Sequence, residues 1–178
     1  RPGLSTIDSF LHNDKKIQAK EYNFWPEVID LLKPHLEDIK IIQIGAFGEE
    51  TIEGVDKHIP TFSLKQSSYI IRKSIVHIEI DSVTAHLASV FDKPVVGIYS
   101  HTYANTCDPL WNKESKAVTI ESDRGGRKPS FALEENPKTI NLIKPEKIAQ
   151  AVLDVLEIDK KIKTKTIFMG PRSIFNCI

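Results

Sequence analysis

Apolar positions along this chain follow two alternating periods. Tyr22, Trp25, Val28, Ile29 and Leu32 recur at helical spacing and Leu36 extends the stripe, which predicts a helix over 22–36. Pro26 fits only in its first turn, so the helix proper starts near Phe24. Residues 39–44 form a short β-branched run ending at Gly45, the pattern of a buried strand feeding a loop. That loop carries Gly48, Glu49, Glu50 and Gly54. A second helix is expected over 64–74, with Ser63 as N-cap and Leu64, Tyr69, Ile70 and Ile71 as its apolar positions. Strand 76–80, helix 82–91 and strand 95–99 follow, the helix with Val83, Leu87 and Val90 on one face and with Ala85 and Ala88 small enough for close packing. Past Ser100 the pattern loosens into a long Pro- and Gly-containing loop with one strand-like run, 117–120. A last helix over 145–158 has Pro145 at its first position and Ile148, Val152, Val155 and Leu156 inward. Strands alternating with helices predict an α/β fold: a Rossmann-like parallel sheet flanked by helices, joined by right-handed crossovers.

Length and charge narrow the classes. The chain has 178 residues, enough for one well-buried domain, here residues 1–158, and too few for two of full size. Its 24 basic and 24 acidic residues cancel, so no global field points to nucleic acid or to a membrane surface. No apolar run reaches the roughly 20 residues of a membrane span. Cys107 and Cys177 stand far apart without metal spacing and read as structural thiols in a reduced, cytoplasmic compartment. The chain opens on Arg1 rather than Met, and its end, Thr166 to Pro171, looks like a new strand and turn. Residues 159–178 are therefore expected to be the start of a further element of a larger protein, or a trimmed end.

Candidate chemistry concentrates where strand 76–80 meets helix 82–91, at Asp81-Ser82-Val83-Thr84-Ala85-His86. A polar turn at the carboxyl end of a parallel strand, opening a helix, offers free backbone N–H groups to an anion. Asp81 and Ser82 are placed to cap that helix, and Thr84 either donates its hydroxyl to a phosphate or serves the first helical turn. His86, one turn in, would neutralise phosphate charge as imidazolium or donate one hydrogen bond when neutral; a plain core or surface histidine is the alternative. Gly45 reads as a backbone-turn residue. Glu49 or Glu50 is suited to accept from ribose hydroxyls, or else is a hydrated loop carboxylate. His77 alternates with buried positions and reads as structural. The six histidines lack ligand spacing, so no metal is expected, and there is no Gly-x-Gly-x-x-Gly or Walker loop. Arg124, Arg127 and Lys128 around Gly125-Gly126 form a basic loop that could face an anionic acceptor.

The order of these pieces resembles the C-terminal half of glycosyltransferase family 9, the heptosyltransferase-like enzymes of GT-B fold. Lys20-Glu21-Tyr22-Asn23-Phe24-Trp25-Pro26 resembles that family's entry to its first helix, and Ile42-Gln43-Ile44-Gly45 with Glu49-Glu50 its next strand and acidic loop. Thr61-Phe62-Ser63-Leu64 is similar to the segment before the following helix. Asp81 to Ala88 resembles the aspartate–serine/threonine–glycine–x–x–histidine–leucine–alanine motif, with Lys93-Pro94-Val95-Val96 as the strand after it. The likeness covers about residues 20–100. It implies one GT-B half-domain that binds a nucleotide-sugar donor as substrate, without a cofactor, for inverting transfer. Lys20, Asp81, Ser82, Val83, Thr84 and His86 would then lie on the diphosphate, and Gly45, Glu49 and Glu50 on the ribose and nucleotide. The acceptor and the general base would come from an N-terminal domain absent from this chain. Val83 departs from the family glycine; a β-branched residue narrows the approach of a diphosphate. A non-catalytic GT-B-like binding or scaffold module is thus the alternative, and a nucleotide-sugar epimerase of similar architecture the third, although its catalytic pair is not apparent.

Overall fold

The computed structural model describes residues 18–162 except Leu133 and Lys160. Cys177 and the strand expected around Ile167 lie outside the described residues. Helix α1 spans Trp25–Leu32, and Trp25, Val28, Ile29 and Leu32 are its buried face, with Pro26 in the first turn. A 3₁₀ turn, Lys33–His35, extends it to the buried Leu36. Strand β1 (Ile42–Gly45) pairs in parallel with β2 (Lys57–Pro60). Helix α2 (Leu64–Lys73) is capped by Ser63, whose Oγ accepts from Gln66 N at 3.3 Å, while Gln66 Oε1 reaches back to Phe62 N at 2.7 Å. This reciprocal arrangement fixes where the helix begins. Strand β3 (His77–Ile80), helix α3 (Val83–Val90) and strand β4 (Val95–Tyr99) form a parallel crossover unit. A one-turn helix α4 (Ala104–Cys107) precedes β5 (Ala117–Glu121), which pairs in parallel with β4. A 3₁₀ turn at Thr139–Leu142 leads into α5 (Pro145–Val155). This is an α/β, Rossmann-like half-domain.

Every position of β4 is buried, as expected of a central strand covered on both faces. On one side Val96, Ile98 and Ile120 pack under Ile148, Val152 and Leu153 of α5 and under Val28 and Leu32 of α1. On the other side Val95 meets Ile71 of α2 and Ala85 and Ala88 of α3. The small-residue prediction for α3 holds, since Ala88 is fully buried. Its face does not: Thr84, Ala85, Ala88 and Ser89 point inward, and Val90 is exposed. Close approach of α3 to the sheet needs small side chains, which displaces the larger Val83–Leu87–Val90 stripe. Likewise Tyr69 is exposed on α2, and only Ile71 and Ser67 are buried there.

Two further findings depart from the expected pattern. Strand β2, Lys-His-Ile-Pro, was hidden by its charge and its proline; it survives as an edge strand, where such residues are tolerated. More consequentially, the strands form two sheets, β1-β2 and β3-β4-β5, rather than one. Between them runs an apolar fissure of about 560 Å³, walled by Trp25, Leu32, Ile44, Ile70, Ile78 and Val152 among others.

Candidate functional site

Parallel strands that point the same way bring their following loops to one edge, and there a cleft of about 290 Å³ opens. Lys20, Tyr22, Asn23, Glu50, Glu53 and Ile80 line it, and Trp25 and Ile52 line both it and the fissure. Lys20 and Glu50 were both singled out from the sequence, and folding brings them to one cavity. The loop that carries Glu50 is set by Gln43 of β1, only 2% exposed. Its amide donates to Glu50 O at 2.9 Å and accepts from Ile52 N at 2.8 Å, replacing backbone partners the loop lacks. A glutamine between two isoleucines was the available signal for this role.

Lys20 is not a free surface cation. Its ammonium donates to Asp81 O at 2.8 Å and lies 3.5 Å from Asp81 Oδ2, with the two side chains only 14% and 13% exposed. An ammonium has three donors, so one remains for the cleft. Thr102, just beyond β4, donates to Asp81 Oδ2 at 2.9 Å. Asp81 therefore does not cap α3, as its position had implied. Its carboxylate is taken by Lys20 and Thr102, and Ser82 alone is the N-cap, accepting from Thr84 N at 3.1 Å. Thr102 lay beyond any sequence motif and becomes visible only through the strand register.

The first turn of α3 is satisfied from inside. Glu79, 1% exposed in the middle of β3, accepts the hydroxyl of Thr84 on Oε2, faces His77 Nε2 at 3.1 Å, and accepts Ile80 N on Oε1 at 3.1 Å. Ser82 Oγ and Thr84 Oγ1 are 2.8 Å apart. Of the two uses open to the Thr84 hydroxyl, a phosphate or the first helical turn, the structure shows a local one, donation to Glu79 beside that turn. Buried polar groups are paired, and here the protein's own carboxylate does the pairing. His77 is structural, as its alternation implied. Val83 and His86 are half-buried on α3, and neither lines the cleft.

Gly45 is also explained differently. It has no positive φ; instead a Cβ there would collide with the carboxylate of Glu49, which lies across it. Glu49 thus packs onto the end of β1, and Glu50, next to it, faces the cleft. The cleft is acid-rich: Glu21, Glu50 and Glu53 stand against Lys20, with Glu21 paired to Lys138 at 3.2 Å. In the basic loop, Arg124 is engaged. Arg124 donates to Ser100 O at 2.9 Å and to Glu121 Oε1 at 2.5 Å, and its guanidinium lies 5.6 Å from the Tyr103 ring centre. Arg127 and Lys128 remain exposed. Burial pushes the Tyr22 and Tyr99 phenols far up, and their hydroxyls donate to Ile143 O at 2.7 Å and Cys107 O at 3.3 Å.

Among the described residues no group of three or more His, Cys, Asp or Glu side chains is placed to hold a metal ion, and no helix is long and apolar enough to cross a membrane. Comparison with protein-family models, with curated proteins and with solved structures returned no match.

Proposed function

We propose that this domain binds a nucleotide-diphosphate sugar in the Lys20–Glu50 cleft, as the donor-binding half of an inverting glycosyltransferase. The observation that supports the reading is convergence. Lys20 and Glu50, far apart in the chain and each of a type that suits this ligand, line one cleft at the carboxyl ends of β1 and β3. In this reading Glu50, with Glu53 beside it, accepts from ribose and sugar hydroxyls, which suits an acid-rich wall. The third N–H of Lys20 goes to a diphosphate oxygen and helps the leaving group as its charge develops. The acceptor and the base that deprotonates it belong to a partner domain.

A second reading, a non-catalytic nucleotide-sugar-binding or scaffold module, is favoured by one feature. The Ser82–Thr84 turn is satisfied by Glu79 and carries Val83, so it gives a diphosphate little beyond backbone N–H groups.

Calorimetric titration with nucleoside diphosphates and nucleotide sugars tests both. Losing a charge-assisted hydrogen bond of about 1.5–3 kcal/mol weakens binding by about ten- to a hundredfold, the loss expected for Lys20→Ala. Glu50→Gln should weaken nucleotide sugars and nucleosides alike, whereas His86→Ala should leave affinity unchanged. No binding at millimolar ligand would end the donor-site reading. Binding that survives both Lys20→Ala and Glu50→Gln would move the site elsewhere. Transfer activity in the presence of an acceptor-binding domain separates the enzyme from the module.

A further inference from the structure

The two sheets face one another across the fissure with complementary edges. Thr61 N donates to Gly45 O, so Gly45 and, two residues earlier, Gln43 direct their backbone groups to β2. Ile42 and Ile44 therefore direct theirs away from β2. On the other wall His77 N donates to Pro94 O, so His77 and Glu79 serve β4 while Ile78 and Ile80 direct theirs away from it. Both strands have four residues, both run in parallel with their partners, and no strand hydrogen bond joins them among the described residues. Of the registers these phases allow, the one that overlaps both four-residue strands along their full length places Ile42 opposite His77 and Ile44 opposite Glu79. In it Ile44 N would donate to Ile78 O, and Ile80 N to Ile44 O.

That last donor is the one already occupied. Glu79 Oε1 accepts Ile80 N, and the carboxylate is held in place by His77 and Thr84. An inward charge on an edge strand is a known way to prevent pairing, because a neighbouring strand must displace or bury it. We propose that Glu79 is a latch between two states of the domain. With its carboxylate on the Ile80 amide, the β1-β2 and β3-β4-β5 sheets stay apart; with the carboxylate displaced, Ile80 N passes to Ile44 O. The sheets then join as one five-stranded parallel sheet in the order β2-β1-β3-β4-β5, and the apolar fissure closes. Closure also narrows the cleft, since Glu50 and Glu53 follow β1 whereas Lys20 is tied to Asp81 at the end of β3. A ligand spanning those walls favours the joined state, but the latch itself belongs to the ligand-free chain and stands apart from the proposed function.

Amide exchange, read residue by residue by NMR on the full chain without ligand, tests this. Glu79→Val removes the latch and supplies a strand-forming side chain; the Ile44 and Ile80 amides should exchange about tenfold more slowly or better, as pairing protects them. Glu79→Gln retains an oxygen for Ile80 N and should keep the wild-type pattern. Unchanged exchange in a folded Glu79→Val variant overturns the latch. Should that variant not fold, Ile42→Cys with His77→Cys, in a chain with Cys107→Ser and Cys177→Ser, reads closure directly. Adjacent strands bring such a pair within disulfide reach of about 4.4–6.8 Å between Cα atoms, and His77→Cys also frees one group that holds Glu79. A cross-link on mild oxidation supports closure, and its failure in a folded protein overturns it.

Discussion

Lys20 and Asp81 form an ion pair at the candidate site whose worth can be worked from the geometry. Replacing Lys20 with Met keeps the apolar stem and removes the ammonium. Asp81 then retains Thr102 alone, and its own carbonyl loses the 2.8 Å donor. A fully exposed pair would be worth about 0–1 kcal/mol, whereas breaking a buried one costs about 3–5 kcal/mol. With side chains 14% and 13% exposed and a rim open to the cleft, the expected loss falls between, about 2–3 kcal/mol. For a domain of this size each kcal/mol moves Tm by about 2–4 °C, so Lys20→Met should melt about 4–12 °C lower. Asp81→Asn should cost less, because the amide still accepts from Thr102. The double variant closes the cycle, with an expected coupling of about 1–2 kcal/mol. Urea denaturation of the wild type, both single variants and the double supplies the four free energies. If Lys20→Met costs below about 0.5 kcal/mol and the changes simply add, the pair is screened by water. Lys20 would then be free to swing, and its fixed place at the cleft would be wrong.

Four further outcomes are expected. Backbone N–H groups of Ser115, Lys113 and Glu114 hold the Asp92 carboxyl down to about 2 from an ordinary 3.8. Its contribution to stability is complete above pH 4 and lost as pH falls toward 2; Asp92→Asn should flatten that part of a melting-temperature profile, and an unaltered profile would contradict the assignment. Tyr22 and Tyr99 have phenols raised far above 10.0. Unfolded tyrosines ionise first, so stability declines above pH 10, and ultraviolet titration should show these two ionising only as the chain unfolds. Leu153→Ala, at a fully buried position of α5, should cost about 2–5 kcal/mol in urea denaturation through lost transfer energy and the cavity left behind. Gly45→Ala pushes the carboxylate end of the flexible Glu49 side chain off β1 and should cost little, below about 1 kcal/mol in urea denaturation, with a crystal structure showing a rotated Glu49 side chain.

Long-period features were legible in the sequence because a single face dictated them. The α1 stripe, Pro145 at the start of α5, the Ser63 cap and the bounds of β4 all follow from patterns within ten or fifteen residues. The site was half legible. Lys20 and Glu50 were found by type and order, but their shared cleft depends on how two sheets are set, which no local period encodes. Asp81 was found in place and misread in role, because the competing partners Lys20 and Thr102 are 61 and 21 residues away. Glu79 and Gln43 sit inside apolar runs that read as plain buried strands. A polar side chain in a buried strand is a costly choice, and in both cases it completes hydrogen bonds that the backbone leaves open.

The Asp92 carboxylate has a meaning beyond its acidity. Together with Ser89 Oγ on Trp111 N at 2.7 Å and Lys93 O on the Asn112 amide at 2.9 Å, it fastens residues 111–115 to the turn between α3 and β4. The excursion from β4 through α4 is thereby stitched shut at its base before β5 enters the sheet. Its length is thus uncoupled from the register of β4 and β5, and lengthening a closed surface loop costs only a slowly growing entropy. The exposed Leu110, just outside the stitches, is then a natural insertion point where a foreign peptide or a reporter could be spliced without the sheet registering the change.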